Sequence, residues 1–135
     1  VKAQEAQETE EVQELPQIEG IDSQTGLQNC GELDLFLEML GMVHQGIDEN
    51  AGAIEAALEQ EDLDSYRIKV HSLKSTARLI GALELSKKAA DLEKAAADKN
   101  LDIMREKTAE LLTLYRSFSQ KLEAYAGQAD GNSLQ

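Results

Sequence analysis

From Leu33 onward the apolar positions recur at intervals of three and four residues, the spacing of a buried helix face. Leu33, Phe36, Leu40, Val43, Ile47, Ile54 and Leu58 form a first stripe, and Leu63, Tyr66, Val70, Leu73, Ala77 and Ile80 a second. Leu85, Ala89, Leu92 and Ala96 form a third, whose small residues let neighbouring helices approach closely. Met104, Thr108, Leu111, Tyr115, Phe118, Leu122 and Tyr125 form the fourth. Between the stripes stand helix punctuators: Asp62 to Asp64, Gly81 and Asn100. The pattern predicts four amphipathic helices on short turns, an all-α, antiparallel up-down four-helix bundle. Gly41, Gly46 and Gly52 weaken the first long helix, and a kink is expected between 46 and 52.

Ahead of these stripes, Asp22 or Ser23 offers a cap for a short helical segment running to about Asn29 and ended near Gly31. Residues 1–20 are rich in Glu, Gln and Ala and have no stripe to bury, so they read as a flexible acidic linker. The bundle is assigned to 21–126. Residues 127–135, dominated by Gly, Asp, Asn and Ser, read as a disordered tail.

Composition supports helices over sheet. Hydrophobic residues make up 41% of the chain but aromatics only 4%, with no Trp, so the apolar mass is Leu, Ala, Ile and Met. No run shows the β-branched alternation of a strand. The formal charge of −13 argues against a nucleic-acid partner and against an anionic membrane surface. That charge is uneven. Between Ser65 and Lys94 seven Lys and Arg face three acids, a surplus of four positive charges that leaves −17 for the rest. Cys30 is the lone cysteine, which excludes an intrachain disulfide and fits a reducing compartment. No apolar run is long enough to span a membrane, and no signal peptide is visible. A first residue of Val, not Met, is what a piece of a longer chain shows.

The basic island surrounds His71. On a helical wheel this residue lies roughly 130° from the centre of its stripe, so it should face solvent. A neutral imidazole nitrogen is a good nucleophile near neutral pH, and exposure on a rigid helix gives a bulky partner access to it. Lys74, at i+3, projects to the same region and can offset charge on phosphoryl oxygens. Arg67, at i−4, and Arg78, at i+7, extend the cationic side. Ile68, Ser75, Leu79 and Ala82 are the small and apolar residues of the outward side, a surface for a docking partner. His44 lies near the edge of its stripe and reads as an ordinary boundary residue.

Other chemistries lack their parts. A dinuclear carboxylate site needs Glu three residues before each histidine, where Gly41 and Ile68 stand. A zinc site from Cys30, His44 and His71 has no supporting spacing. Ser72 and Ser75 have no nucleophile elbow, and no Gly-rich phosphate loop is present.

His71-Ser72-Leu73-Lys74-Ser75, then five residues, then Gly81, resembles the histidine-phosphotransfer (HPt) domain motif H-x-L-K-G-x-x-x-x-x-G. Ile18-Glu19-Gly20-Ile21-Asp22 and Ile80-Gly81-Ala82-Leu83-Glu84-Leu85 are similar to that family as well, and the likeness spans about 20–124. The resemblance implies a phosphorelay intermediate of two-component signal transduction. His71 accepts a phosphoryl group from a receiver-domain aspartate and passes it to a second receiver. Lys74 stabilises phosphoryl charge, while Leu73 and Gly81 are structural. It implies a phosphocarrier and not a kinase, binding no metal or nucleotide of its own, with Mg²⁺ supplied by the response-regulator receiver domain. It further implies a monomeric cytoplasmic domain without membrane contact of its own, at the C-terminus of a hybrid sensor kinase that is itself membrane-anchored. One position departs from the pattern: Ser75 stands where the family has Gly, a residue that leaves room for the receiver. The alternatives are a helical protein–protein adaptor, in which His71 is incidental, and a histidine-kinase dimerisation domain. The second needs an acid directly after the histidine and a nearby proline; Ser72 follows instead, and Pro16 is the only proline.

Overall fold

The structure is a computed structural model and describes residues 15–130. Five α-helices follow one another: α1 (Ser23–Cys30), α2 (Leu33–Glu59), α3 (Leu63–Leu79), α4 (Leu83–Ala97) and α5 (Leu101–Lys121), then a 3₁₀ segment, Glu123–Asp130. There is no strand among the described residues. Helices α2 to α5 are joined by tight turns at 60–62, 80–82 and 98–100, too short for anything but antiparallel neighbours. Each packs on the next, and α5 packs back on α2, closing the up-down bundle. Helix α1 lies across one end, against α2 and α3.

The starts follow the expected cap chemistry. Asp22, Asp62 and Asn100 each accept a hydrogen bond from the backbone N–H three residues on, at 3.2 Å, satisfying a donor that the first helical turn leaves free. The predicted stripes are the core. Phe36, Leu40, Ile47 and Ile54 of α2 meet Tyr66, Val70, Leu73, Ala77 and Ile80 from α3 and its end, Leu85, Ala89 and Leu92 of α4, and Met104, Leu111, Tyr115 and Phe118 of α5. The one deep polar pair is satisfied, with the Tyr66 hydroxyl 2.6 Å from Thr108 Oγ1.

Helix α2 is one continuous helix through Gly46 and Gly52, with Ile47, Ala51 and Ile54 buried along its length. Two expectations change. The acidic linker read over 1–20 gives way before Gly20. Residues 1–14 lie outside the described residues, but Ile18 packs on the core, and Ser23 Oγ donates to the Pro16 carbonyl at 2.6 Å. The tail read from 127 overlaps the 3₁₀ segment through Asp130, and 131–135 lie outside the described residues.

The turn at 80–82 fixes where α3 stops. Gly81 has φ of +85°, a conformation that side chains with a Cβ adopt only under strain. Its carbonyl accepts from the Asp22 N–H at 2.9 Å, so α1 is tethered to the end of the α3–α4 hairpin.

Candidate functional site

His71 sits on the middle of α3 with 57% of its side chain exposed, pointing away from the core as its phase predicts. Its ring is not free. Nδ1 lies 2.7 Å from Glu93 Oε2, on the facing helix α4. The other oxygen of the same carboxylate, Oε1, lies 2.7 Å from Lys74 Nζ. One carboxylate thus bridges the imidazole and the ammonium. An ionised carboxylate only accepts, so the ring proton belongs on Nδ1. In the neutral ring that leaves Nε2 bare, and it is the nitrogen turned away from Glu93. The ammonium of Lys74 and, beyond it, His71 hold the Glu93 carboxyl below the usual carboxylate range, against a desolvation that pushes it up.

The hairpin brings this trio together. Ser86 Oγ donates to the Lys74 carbonyl at 3.0 Å, and the small buried side chains of Ala89 and Ala96 let α3 and α4 approach. Glu93 is the residue that motif reading missed, because it stands on a different helix from the motif. A signal did exist: His71 and Glu93 lie at equal distances either side of Ala82, so a tight antiparallel hairpin must set them side by side.

The exposed face of α3 is divided. Arg67, Lys74 and Arg78 occupy the edge towards α4, Ile68 and Ser75 the edge towards α2, with His71 between them. Arg67 and Arg78 are exposed and have no salt-bridge partner among the described residues. Ile68 is 65% exposed. It borders a groove of about 400 Å³ between α2 and α3, whose walls include Met39, Met42, Lys69, Ser72 and Thr76. Met42 is itself 49% exposed. The groove thus sets exposed apolar side chains beside Lys69 and within reach of the face that carries His71.

Not every expected residue reaches that surface. Ala82 is fully buried and leaves the docking set. Helix α3 ends at Leu79, and the reversal at Gly81 turns Ala82 inward as the first residue before α4. Leu79 is only half-exposed, lying where α1 crosses: its carbonyl is 3.8 Å from Cys30 Sγ. Leu73 is in the core, at 6% exposure. Lys74 is brought to His71 as expected, but through Glu93, with less than a quarter of its side chain open to solvent. Ser75 is exposed one turn beyond His71.

The bundle presents one half-exposed histidine, hydrogen-bonded to a carboxylate on the facing helix, beside a groove between α2 and α3. Comparison with known proteins gives its family. The family model described as the Hpt domain matches residues 38–128, and the chain belongs to that family. It is accordingly a phosphorelay intermediate of two-component signalling, in a family of phosphocarriers whose partners are receiver domains. Among solved structures it is similar to the HPt domain of a sensor hybrid histidine kinase from Shewanella, with a TM-score of 0.72 and 20% identity over 81% of this chain and 95% of that one. At that identity the likeness is one of fold. No curated protein matches the chain.

Proposed function

We propose that His71 is the phosphoacceptor and that Nε2 is the attacking atom. The observation that carries this is the Glu93 carboxylate on Nδ1, which fixes the proton on one nitrogen and leaves the lone pair on the other, in a ring more than half exposed. The electron pair of Nε2 forms the N–P bond while the acyl-phosphate O–P bond of a receiver aspartate breaks, its electrons leaving with the aspartate carboxylate. A second receiver reverses the step. Lys74 offsets charge on the transferring phosphoryl group from its place beside His71, on the second oxygen of Glu93. Arg67 and Arg78 steer the acidic partner, and Ile68, Ser75 and the exposed part of Leu79 make the docking contact.

Ser75 adds a Cβ and a hydroxyl where the family pattern has glycine, and it lies on the docking side; it is a position that would select among receivers. The carrier needs no nucleotide site or metal of its own, since the Mg²⁺ of the chemistry belongs to the receiver. The domain acts as a monomer in the cytoplasm, without nucleic acid, and the hybrid sensor kinase that would carry it is the membrane-attached part. No helix among the described residues is long and apolar enough to cross a membrane.

The test is transfer in both directions. Incubated with a phosphorylated receiver domain, the chain acquires phosphate that is acid-labile and base-stable, as phosphoramidates are. Separated and mixed with a second, unphosphorylated receiver, it gives that phosphate up. A chain that binds receivers but never carries phosphate would be an adaptor, and the proposal would fail.

A further inference from the structure

Glu93 offers the non-reacting ring nitrogen an acceptor that has no proton to give. The form of His71 that can attack is the neutral ring, with its proton on Nδ1 towards Glu93 and its lone pair on Nε2. When Nε2 takes the phosphoryl group, the Nδ1 proton stays, so the ring becomes a phosphoimidazolium bearing a positive charge. Two fates follow. If Nδ1 keeps its proton, phosphoryl departure returns a neutral imidazole, a good leaving group. If Nδ1 loses it, departure must release an imidazolate, and the phosphohistidine is a slow store. A carboxylate at 2.7 Å discriminates between them. It hydrogen-bonds and ion-pairs with the protonated ring, whereas a bare Nδ1 lone pair would face it in repulsion.

We propose that Glu93 retains the Nδ1 proton through the whole phosphoryl cycle, holding phosphorylated His71 in its protonated, transfer-ready form. This rests on His71 being the phosphoacceptor. Glu93 is a positioning residue here, acting through the imidazole and not on phosphorus. Lys74, 2.7 Å from the second oxygen, keeps the carboxylate aimed at the ring. Its ammonium also favours the ionised carboxyl, the form the device requires. The other charged groups near the ring do not substitute for it. Helix α3 brings Arg67 and Arg78, which are cations. Helix α4 brings Asp91 and Lys94 on either side of Glu93 in sequence, both exposed, Asp91 bonded to Lys87 and Lys94 to Asp98. The groove side of α2 presents Met39, Met42 and Asn50, which carry no charge.

The experiment uses the full chain, phosphorylated by a phospho-receiver, freed of it, and left to lose phosphate by hydrolysis across neutral and alkaline pH. Without a receiver present, no partner group titrates. The wild-type rate stays flat as pH rises. In Glu93→Gln, whose amide can donate to a bare Nδ1, the rate falls by about tenfold for each pH unit once the ring deprotonates. Glu93→Asp restores part of the flat profile. Independently of any variant, the phosphorylated wild-type ring shows a protonated Nδ1 in ¹⁵N spectra at alkaline pH. Superimposable profiles for wild type and Glu93→Gln, or a bare Nδ1 in the phosphorylated wild type, overturn the inference while leaving His71 as the acceptor. Failure of wild type to take phosphate on His71 overturns both readings.

Discussion

His71→Gln abolishes phosphate uptake from a phosphorylated receiver, down to the level of the receiver incubated alone. Glutamine keeps polarity and comparable length, and His71 is more than half exposed, so the bundle is unaffected. What disappears is the only nucleophilic nitrogen at the site, since an amide nitrogen has no available lone pair. Binding to the receiver persists, because Ile68, Arg67, Arg78 and the groove residues remain. The chain has one other histidine, His44, half-buried on α2. It serves as the internal control: His44→Gln takes phosphate as the wild type does. Phosphate on the His71→Gln chain, measured as acid-labile label, would remove His71 from the mechanism.

Gly81→Ala destabilises the fold by about 3 kcal/mol or more, lowering Tm by roughly 10–15 °C for a domain of this size. Two costs combine. The φ of +85° strains any residue with a Cβ, by about 1 kcal/mol. The added carbon would then sit 2.2 Å from the Asp22 carbonyl oxygen and 3.1 Å from the Gly26 nitrogen, both backbone atoms that cannot rotate away. Relief requires pulling α1 off the bundle, losing the Asp22 to Gly81 hydrogen bond and the close seat of Gly26 against Phe36 and Ile80. Gly31 separates the two terms. Its φ is +97° but nothing lies within 4 Å of a Cβ built there, so Gly31→Ala costs only the strain, about 1 kcal/mol. Thermal unfolding of the two variants side by side decides whether collision or conformation dominates at Gly81. Equal losses would mean that the tether to α1 contributes little.

The comparison of these glycines also marks what sequence pattern can and cannot reveal. The stripes at three- and four-residue spacing located all four long helices, since helical periodicity is a local property that tertiary packing only exploits. The same wheel placed His71 outward. It failed at Ala82, because it was extended past a residue whose positive φ ends the helix and reverses the chain. It is silent on Ile18 and Ile21, which pack on the core from a stretch without helical period. In the sequence Glu93 is one acid in a basic island; its contacts with His71 and Lys74 exist only because α4 folds back on α3. The island is therefore less bare than charge counting implied. Lys74 is engaged, while Arg67 and Arg78 keep their charge towards solvent.

Motif position and reactive geometry are thus set by different parts of the chain. On the proposed assignment, the helix carrying His71 supplies the nucleophile and its exposure, and the next helix, through Glu93, decides which of its two nitrogens reacts. The most direct test of this account is the position of the phosphoryl group itself. In the phosphorylated full-length chain, with ¹⁵N-labelled histidine, phosphorus–nitrogen coupling should place phosphate on Nε2 of His71. Coupling to Nδ1 of His71, to His44, or to no histidine nitrogen would contradict it.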